Sequence, residues 1–203
     1  MLLSPSVDNY DVKLPDREPE SLGLVATLTL KVIDRQGRVK SKLTLRSHSP
    51  TYNLYAMLGM LGSLGGTATD TSGTAWNISS YAVVKANSIS IMVGSGTSSN
   101  PFNQTKLVAP IANGTGSGQL VYGNINFSSS PAVSGNSMSF LIYNVFTNES
   151  NTVVTVTEIG LVANYTFGIA SPSNFLLWYD NIPTISLAPG DALAVTYTFT
   201  INP

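Results

Sequence analysis

Ala192-Leu193-Ala194-Val195-Thr196-Tyr197-Thr198-Phe199-Thr200-Ile201 is the stretch whose reading decides the fold of this chain. Leu193, Val195, Tyr197, Phe199 and Ile201 fall on one side, and Ala194, Thr196, Thr198 and Thr200 on the other. Successive side chains of an extended strand point to opposite faces. The pattern therefore predicts a strand with one face on a core and the other coated with hydroxyls. Its β-branched and aromatic residues suit a pleated, half-buried surface.

The same grammar extends back along the chain. Runs rich in Val, Ile, Leu, Phe, Tyr and Thr predict strands over 76–84, 88–93, 119–127, 137–146, 152–163, 175–179 and 184–187. Turn residues separate them: Gly94-Ser95-Gly96, Asn113-Gly114, Ser134-Gly135-Asn136, Asn148-Glu149-Ser150-Asn151 and Pro189-Gly190-Asp191. Near the start, Leu24, Ala26, Leu28, Leu30 and Val32 alternate with polar partners, and Asp34-Arg35-Gln36-Gly37 turns the chain into Val39, Ser41, Leu43 and Leu45. That is a β-hairpin, and its turn glycine is suited to positive φ. Many short strands with frequent turns predict an all-β, antiparallel β-sandwich or jelly roll, read as one domain over residues 22–203. Residues 1–21, broken by Pro5, Pro15 and Pro19, predict an extended N-terminal arm, either a solvated tail or a segment that orders on a neighbouring subunit.

One helix is expected, short and apolar, over about 50–64. Ser49 would be its N-cap and Pro50 its first residue, and Gly65-Gly66 would end it. Being apolar nearly all round, it should plug one end of a sheet or face another subunit. The following Gly62 to Thr74 predicts a surface loop or hinge; no Gly-Lys-Ser/Thr makes it a phosphate loop.

Charge is scarce and uneven. Charged residues are 10% of the chain, against about 25% in typical soluble domains. Residues 1–106 hold all ten Lys/Arg and seven acids, whereas residues 107–203 hold only Glu149, Glu158, Asp180 and Asp191. Weak charge repulsion favours assembly, and the ten cations are too sparse for a nucleic-acid footprint. Alternation places Lys31, Lys40, Lys42 and Arg46 on one face of the hairpin, either a solvated face or an intersubunit patch for an acidic partner. No apolar run reaches the length of a membrane span, and the start at Met1 lacks the features of a secretory leader.

The chain is poor in groups that do chemistry. It has no cysteine and a single histidine, His48, so neither a zinc site nor a thiolate nucleophile is expected, and no catalytic residue or cofactor is assigned. Glu158 stands out because it interrupts the apolar run from Val153 to Val162, on the side of Val154, Val156 and Val162. A buried carboxylate needs donors or a cation. It should therefore accept backbone or hydroxyl hydrogen bonds, or pair with a base such as Arg46. Asn-x-Ser/Thr sequons at Asn77, Asn103, Asn113, Asn126, Asn148 and Asn164 are candidate glycosylation sites. Trp76, Tyr81, Tyr122, Trp178 and Tyr179 are candidates for stacking on sugars, although core packing explains them more cheaply.

Several phrases occur in a familiar order: Ile89-Ser90-Ile91-Met92-Val93-Gly94-Ser95-Gly96-Thr97, Leu107-Val108-Ala109-Pro110-Ile111, Gly116-Ser117-Gly118-Gln119-Leu120-Val121-Tyr122, Phe146-Thr147-Asn148, Val156-Thr157-Glu158-Ile159-Gly160-Leu161, and Leu187-Ala188-Pro189-Gly190-Asp191-Ala192-Leu193-Ala194-Val195-Thr196-Tyr197-Thr198. In this order, over roughly residues 40–203, the chain resembles β-rich virion structural proteins of phages and archaeal viruses. The resemblance implies a non-enzymatic capsid, vertex, turret or tail component, located in the virion, whose partners are further copies of itself, other virion proteins and, for host attachment, surface glycans or pili. The low-charge, cysteine-free composition suits a particle of a heat- or acid-loving host. Two alternatives are an extracellular pilus or adhesin subunit joined by strand addition, and a carbohydrate-binding module.

Overall fold

The computed structural model describes residues 23–47, 49–61, 66–78, 84–128, 131–167 and 172–202. The arm expected over residues 1–21, His48 and Tyr81 lie outside the described residues.

The elements run β1 (Gly23–Ile33), β2 (Val39–Ser47), α1 (Tyr52–Leu61), β3 (Gly66–Thr69), β4 (Ala75–Ile78), β5 (Val84–Gly94), β6 (Val121–Tyr122), β7 (Asn126–Phe127), β8 (Ala132–Ser134), β9 (Ser137–Thr147), β10 (Val154–Phe167), β11 (Ser173–Leu187) and β12 (Ala192–Asn202). The fold is all-β and antiparallel. One sheet has the order β2-β1-β12-β9, with β6, β7 and β8 lying in turn along the far edge of β9. The other has the order β11-β10-β5, and β3 and β4 form a separate hairpin.

The two larger sheets share one core. Ala26, Leu28, Leu30 and Val32 of β1, Ile142 and Phe146 of β9, and Leu193, Val195, Tyr197 and Phe199 of β12 meet Ile91 and Val93 of β5, Val154, Val156, Ile159 and Leu161 of β10, and Trp178 and Ile182 of β11. This is the β-sandwich that the alternation in β12 requires. The opposite faces of β1 and β12 carry Thr27, Thr29, Thr196, Thr198 and Thr200, so neutral hydroxyls cover the outer side of the sheet. The β1–β2 turn closes as expected, with Gly37 at φ +79° and both Asp34 carboxylate oxygens engaged by Gln36 and Arg38.

Several local expectations are corrected. The helix begins at Tyr52 rather than at Pro50. Ser49, Pro50 and Thr51 instead lie along the edge of β11: Tyr179 N–H donates to Ser49 O and Thr51 N–H to Leu177 O, at 2.9 Å each. Pro50, which has no N–H to offer, occupies the position between these bonds. Part of the expected loop after the helix, Gly66–Thr69, is strand β3, because Asn53 of α1 takes both the N–H and the carbonyl of Thr69. Runs 175–179 and 184–187 are one strand despite Pro183. β11 is the edge of its sheet, where a residue without an N–H is tolerated. Run 119–127 divides into the two short strands β6 and β7.

Candidate functional site

Glu158 is fully buried and is held by donors, not by a cation. Its Oε1 accepts the N–H groups of Gly96 at 3.1 Å and Ala109 at 2.7 Å. Its Oε2 accepts the N–H of Val108 at 2.9 Å and the Tyr179 hydroxyl at 2.6 Å. Burial, and then the hydrogen bond to Glu158 and its charge, push the Tyr179 phenol well above its ordinary value, so it remains a donor. Arg46 takes no part.

The expected side of Glu158 is also corrected. A bulge between Val156 and Glu158 shifts the register against β11. Val154, Val156, Ile159 and Leu161 therefore face the shared core, whereas Glu158 shares the opposite side with Val162, under the segment that follows β5. That segment returns beside its own strand, with Ser95 N–H donating to Ala109 O and Ile111 N–H to Val93 O. Gly94 makes the close approach possible: a Cβ there would lie 2.3 Å from Glu158 Oε1 and 2.7 Å from Ala109 O.

Asp180, Asp70 and Asp191 are also buried and bound into the fold. Asp180 accepts the Ser47 hydroxyl at 2.7 Å and the Tyr197 hydroxyl at 2.8 Å, tying β11 to β2 and β12 across the sandwich. Trp178 Nε1–H donates to the same Ser47 oxygen. Asp70 opens the β3–β4 turn. Burial alone would raise its pKa, but hydrogen bonds from Ser72, Trp76, Thr74 and Ser173 outweigh that and hold it down to about 2.

The cations expected on the hairpin do not form one set. Lys31 and Lys42 are direct cross-strand neighbours, and Arg46 follows on the same outer face, opposite Thr27. Lys40 is diverted by the bulge at the end of β1, and its Nζ bonds Asp191 Oδ2 at 2.7 Å. The sequons also separate. Asn77, Asn103, Asn113 and Asn126 are exposed, and Asn164 is half-buried with its Nδ2 on Asn174. Asn148 is corrected as a glycosylation site: it is fully buried, and its Nδ2 donates to the carbonyls of Thr152 and Leu187 at 2.8 Å each. A glycan there would require opening that turn.

Of the aromatics considered for sugar stacking, Trp178 and Tyr179 are buried, and Tyr122 packs edge-on against Phe146. Other aromatic rings are left in solvent, Phe127 and Tyr143 among them, and three that sequence reasoning did not single out lie together. Tyr52 and Tyr55 of α1 are 50% and 53% exposed, and Phe102 of the short turn Pro101–Asn103 is 45% exposed. Phe102 lies 6.1 Å from the Tyr52 ring and 5.8 Å from the Tyr55 ring. Tyr52 and Tyr55 lie in the helix expected to be apolar nearly all round. Among the described side chains of α1 the inward ones are Ala56 and Met57, which meet Ala68, Phe175 and Leu177, and Asn53, which bonds Thr69 and the Leu176 carbonyl.

Two depressions flank these rings. One, of about 210 Å³, is lined by Leu24, Arg46, Ser47, Pro50, Tyr55 and Trp178 among others; the second, of about 290 Å³, by Pro50, Tyr55, Ser99, Asn100 and Phe102 among others. Tyr55 and Pro50 form the wall between them. A larger depression, of about 450 Å³, lies at the opposite end of β1 and β12 against Arg35, Glu149 and Gly190. Exposed apolar side chains also form a row across the first sheet. Leu24 pairs with Ile201, Ile201 with Met138, and Met138 with Val133, which is 72% exposed. Leu24 belongs both to this row and to the depression beside Tyr55. Together these residues make one apolar and aromatic end of the sandwich, with Arg46 as its cation among the lining residues. Among the described residues no three His, Cys, Asp or Glu side chains gather as a metal set, and no helix is long and apolar enough to cross a membrane.

No protein-family model, curated protein or solved structure matches the chain.

Proposed function

We propose that this chain is a non-enzymatic virion structural protein, a capsid, vertex, turret or tail component that assembles with further copies of itself. One observation carries the reading: Leu24, Ile201, Met138 and Val133 are consecutive cross-strand neighbours and all are exposed. Contiguous exposed apolar surface marks contact with another protein. The row continues the core face of the first sheet, so a second copy would extend the core already present. The buried acids support the same reading, since Glu158, Asp180 and Asp70 are engaged in hydrogen bonds that hold strands and turns together. The sandwich is read more narrowly as jelly-roll-like, supported by the first and last described strands, β1 and β12, lying side by side inside one sheet.

The test is assembly of the purified protein, followed by light scattering and electron microscopy across concentration, with the double variant Met138→Asp/Val133→Asp beside it. Closed assemblies that revert to monomer in the variant are expected. A wild type that stays monomeric throughout, indistinguishable from the variant, would remove the reading.

A further inference from the structure

The apolar and aromatic end has a feature that assembly through the strand row does not use. Arg46 lines the depression beside Tyr55, and its ordinary counterion is not there: the ion pairs among the described residues are Arg38–Asp34 and Lys40–Asp191. Lys42 lies two positions along the same outer face, opposite Lys31. Positive charge thus sits beside the exposed Tyr55 ring, which also lines the depression that holds Phe102.

The described chain begins at this place. Gly23 pairs with Asn202 at the end of β1, and the next residue, Leu24, lines the depression. Residues 1–22 are therefore joined to the sandwich at this rim. They carry five acids (Asp8, Asp11, Asp16, Glu18 and Glu20) and two bases (Lys13 and Arg17), a net charge of −3. Residues 23–106 carry eight bases and two acids, a net charge of +6. Within Leu14-Pro15-Asp16-Arg17-Glu18-Pro19-Glu20, prolines alternate with acids. At about 3.5 Å per extended residue, Pro19 can lie up to roughly 17 Å from Leu24 and Pro15 up to roughly 32 Å. Tyr55, which lines the same depression as Leu24, is within that reach.

We propose that residues 14–20 of the chain's own N-terminal segment dock on this end of the sandwich, with proline rings against Tyr55 and Phe102 and acidic side chains on Arg46. Proline-rich segments bind aromatic-lined grooves because the fixed φ of proline lowers the ordering cost. The acids supply the counterion that Arg46 lacks among the described residues. Attachment at the rim holds the segment at an effective concentration of about millimolar, so weak contacts suffice. This inference is independent of assembly through the strand row and is read out separately.

The test uses the full chain, which has no cysteine of its own. Leu14→Cys and Ser99→Cys are introduced together and joined with a short bis-maleimide at low protein concentration. Intramolecular cross-linking roughly ten-fold above that of the same protein carrying Tyr55→Ala/Arg46→Glu is expected, and it should fall at 1 M salt, where the screening length is about 3 Å. Arg46→Glu alone, at an exposed position, serves as the second comparison and should also reduce the yield. Equal cross-linking in all backgrounds would overturn the proposal. Cross-links formed only between molecules would overturn it too, by assigning the segment to a neighbouring copy.

Discussion

Glu158 and Tyr55 occupy regions that handle a misplaced residue in opposite ways. At Glu158 a carboxylate stands in an apolar strand, yet it is fully buried and every hydrogen-bond partner is a donor. At Tyr55 an aromatic ring stands beside a sheet end, yet it is 53% exposed, with Phe102 against it and Tyr52 beyond. The difference is a covering segment. Residues 95–111 fold back over Glu158 and offer it backbone N–H groups, whereas at Tyr55 the same segment brings only the Phe102 ring and leaves Tyr55 half exposed. Burial of a polar group requires matched donors. Exposure of an apolar group requires only that nothing covers it, which makes the first region a device of stability and the second a surface open to contact.

The comparison can be broken most severely at Glu158. Glu158→Leu leaves three backbone N–H groups without their acceptor and the Tyr179 hydroxyl with only its longer bond to Asn181 Oδ1. At about 1–3 kcal/mol for each buried unpaired group, part of it relieved by relaxation, a loss of about 4 kcal/mol is expected. For a chain of this size that lowers Tm by about 10 °C. A change under about 1 kcal/mol in chemical denaturation would show that the covering segment does not depend on Glu158.

Asp70 tests the same principle at a smaller scale and with pH. Its folded-state pKa lies below the ordinary value of 3.8, at about 2. Its contribution is therefore complete above about pH 4 and is lost as the pH falls toward 2. Asp70→Asn should cost about 1–2 kcal/mol at pH 7, and the variant should lose less stability than wild type between pH 4 and pH 2. Parallel acid titrations of the two proteins by circular dichroism would show a constant gap if Asp70 were not the group concerned.

The smallest effect is expected at the open end. Tyr55→Ala should change folding stability by no more than about 0.5 kcal/mol, the usual range for an exposed position, as read in urea at a concentration where the protein is monomeric. A loss above about 2 kcal/mol would place Tyr55 in the core and erase the contrast.

Some of this was legible in single strands. The alternation from Leu193 to Ile201 identified which side of β12 is buried, because a strand's side-chain period is a property of its backbone alone. The Asp34–Gly37 turn and the apolar inward face of β1 were legible for the same local reason. The environment of Glu158 was half legible: need of donors follows from desolvation, but the identity of those donors does not. Gly96, Val108 and Ala109 are 49 to 62 residues away and carry no side-chain signal for the task, since they act through backbone N–H groups. The bulge that turns Glu158 off the face of Val156 was hidden as well, because it arises from pairing with β11.

The amino-acid sequence by itself determined an all-β, antiparallel chain with apolar inner faces, hydroxyl outer faces and few titratable groups, since period-two patterning and composition act residue by residue. Only the tertiary structure decided that Asn148 is sealed inside a turn, that Lys40 is bound to Asp191, and that Tyr52, Tyr55 and Phe102 remain together in solvent, with Arg46 beside Tyr55. Those outcomes depend on which distant segment covers which face, and coverage is a relation between strands that no local pattern encodes.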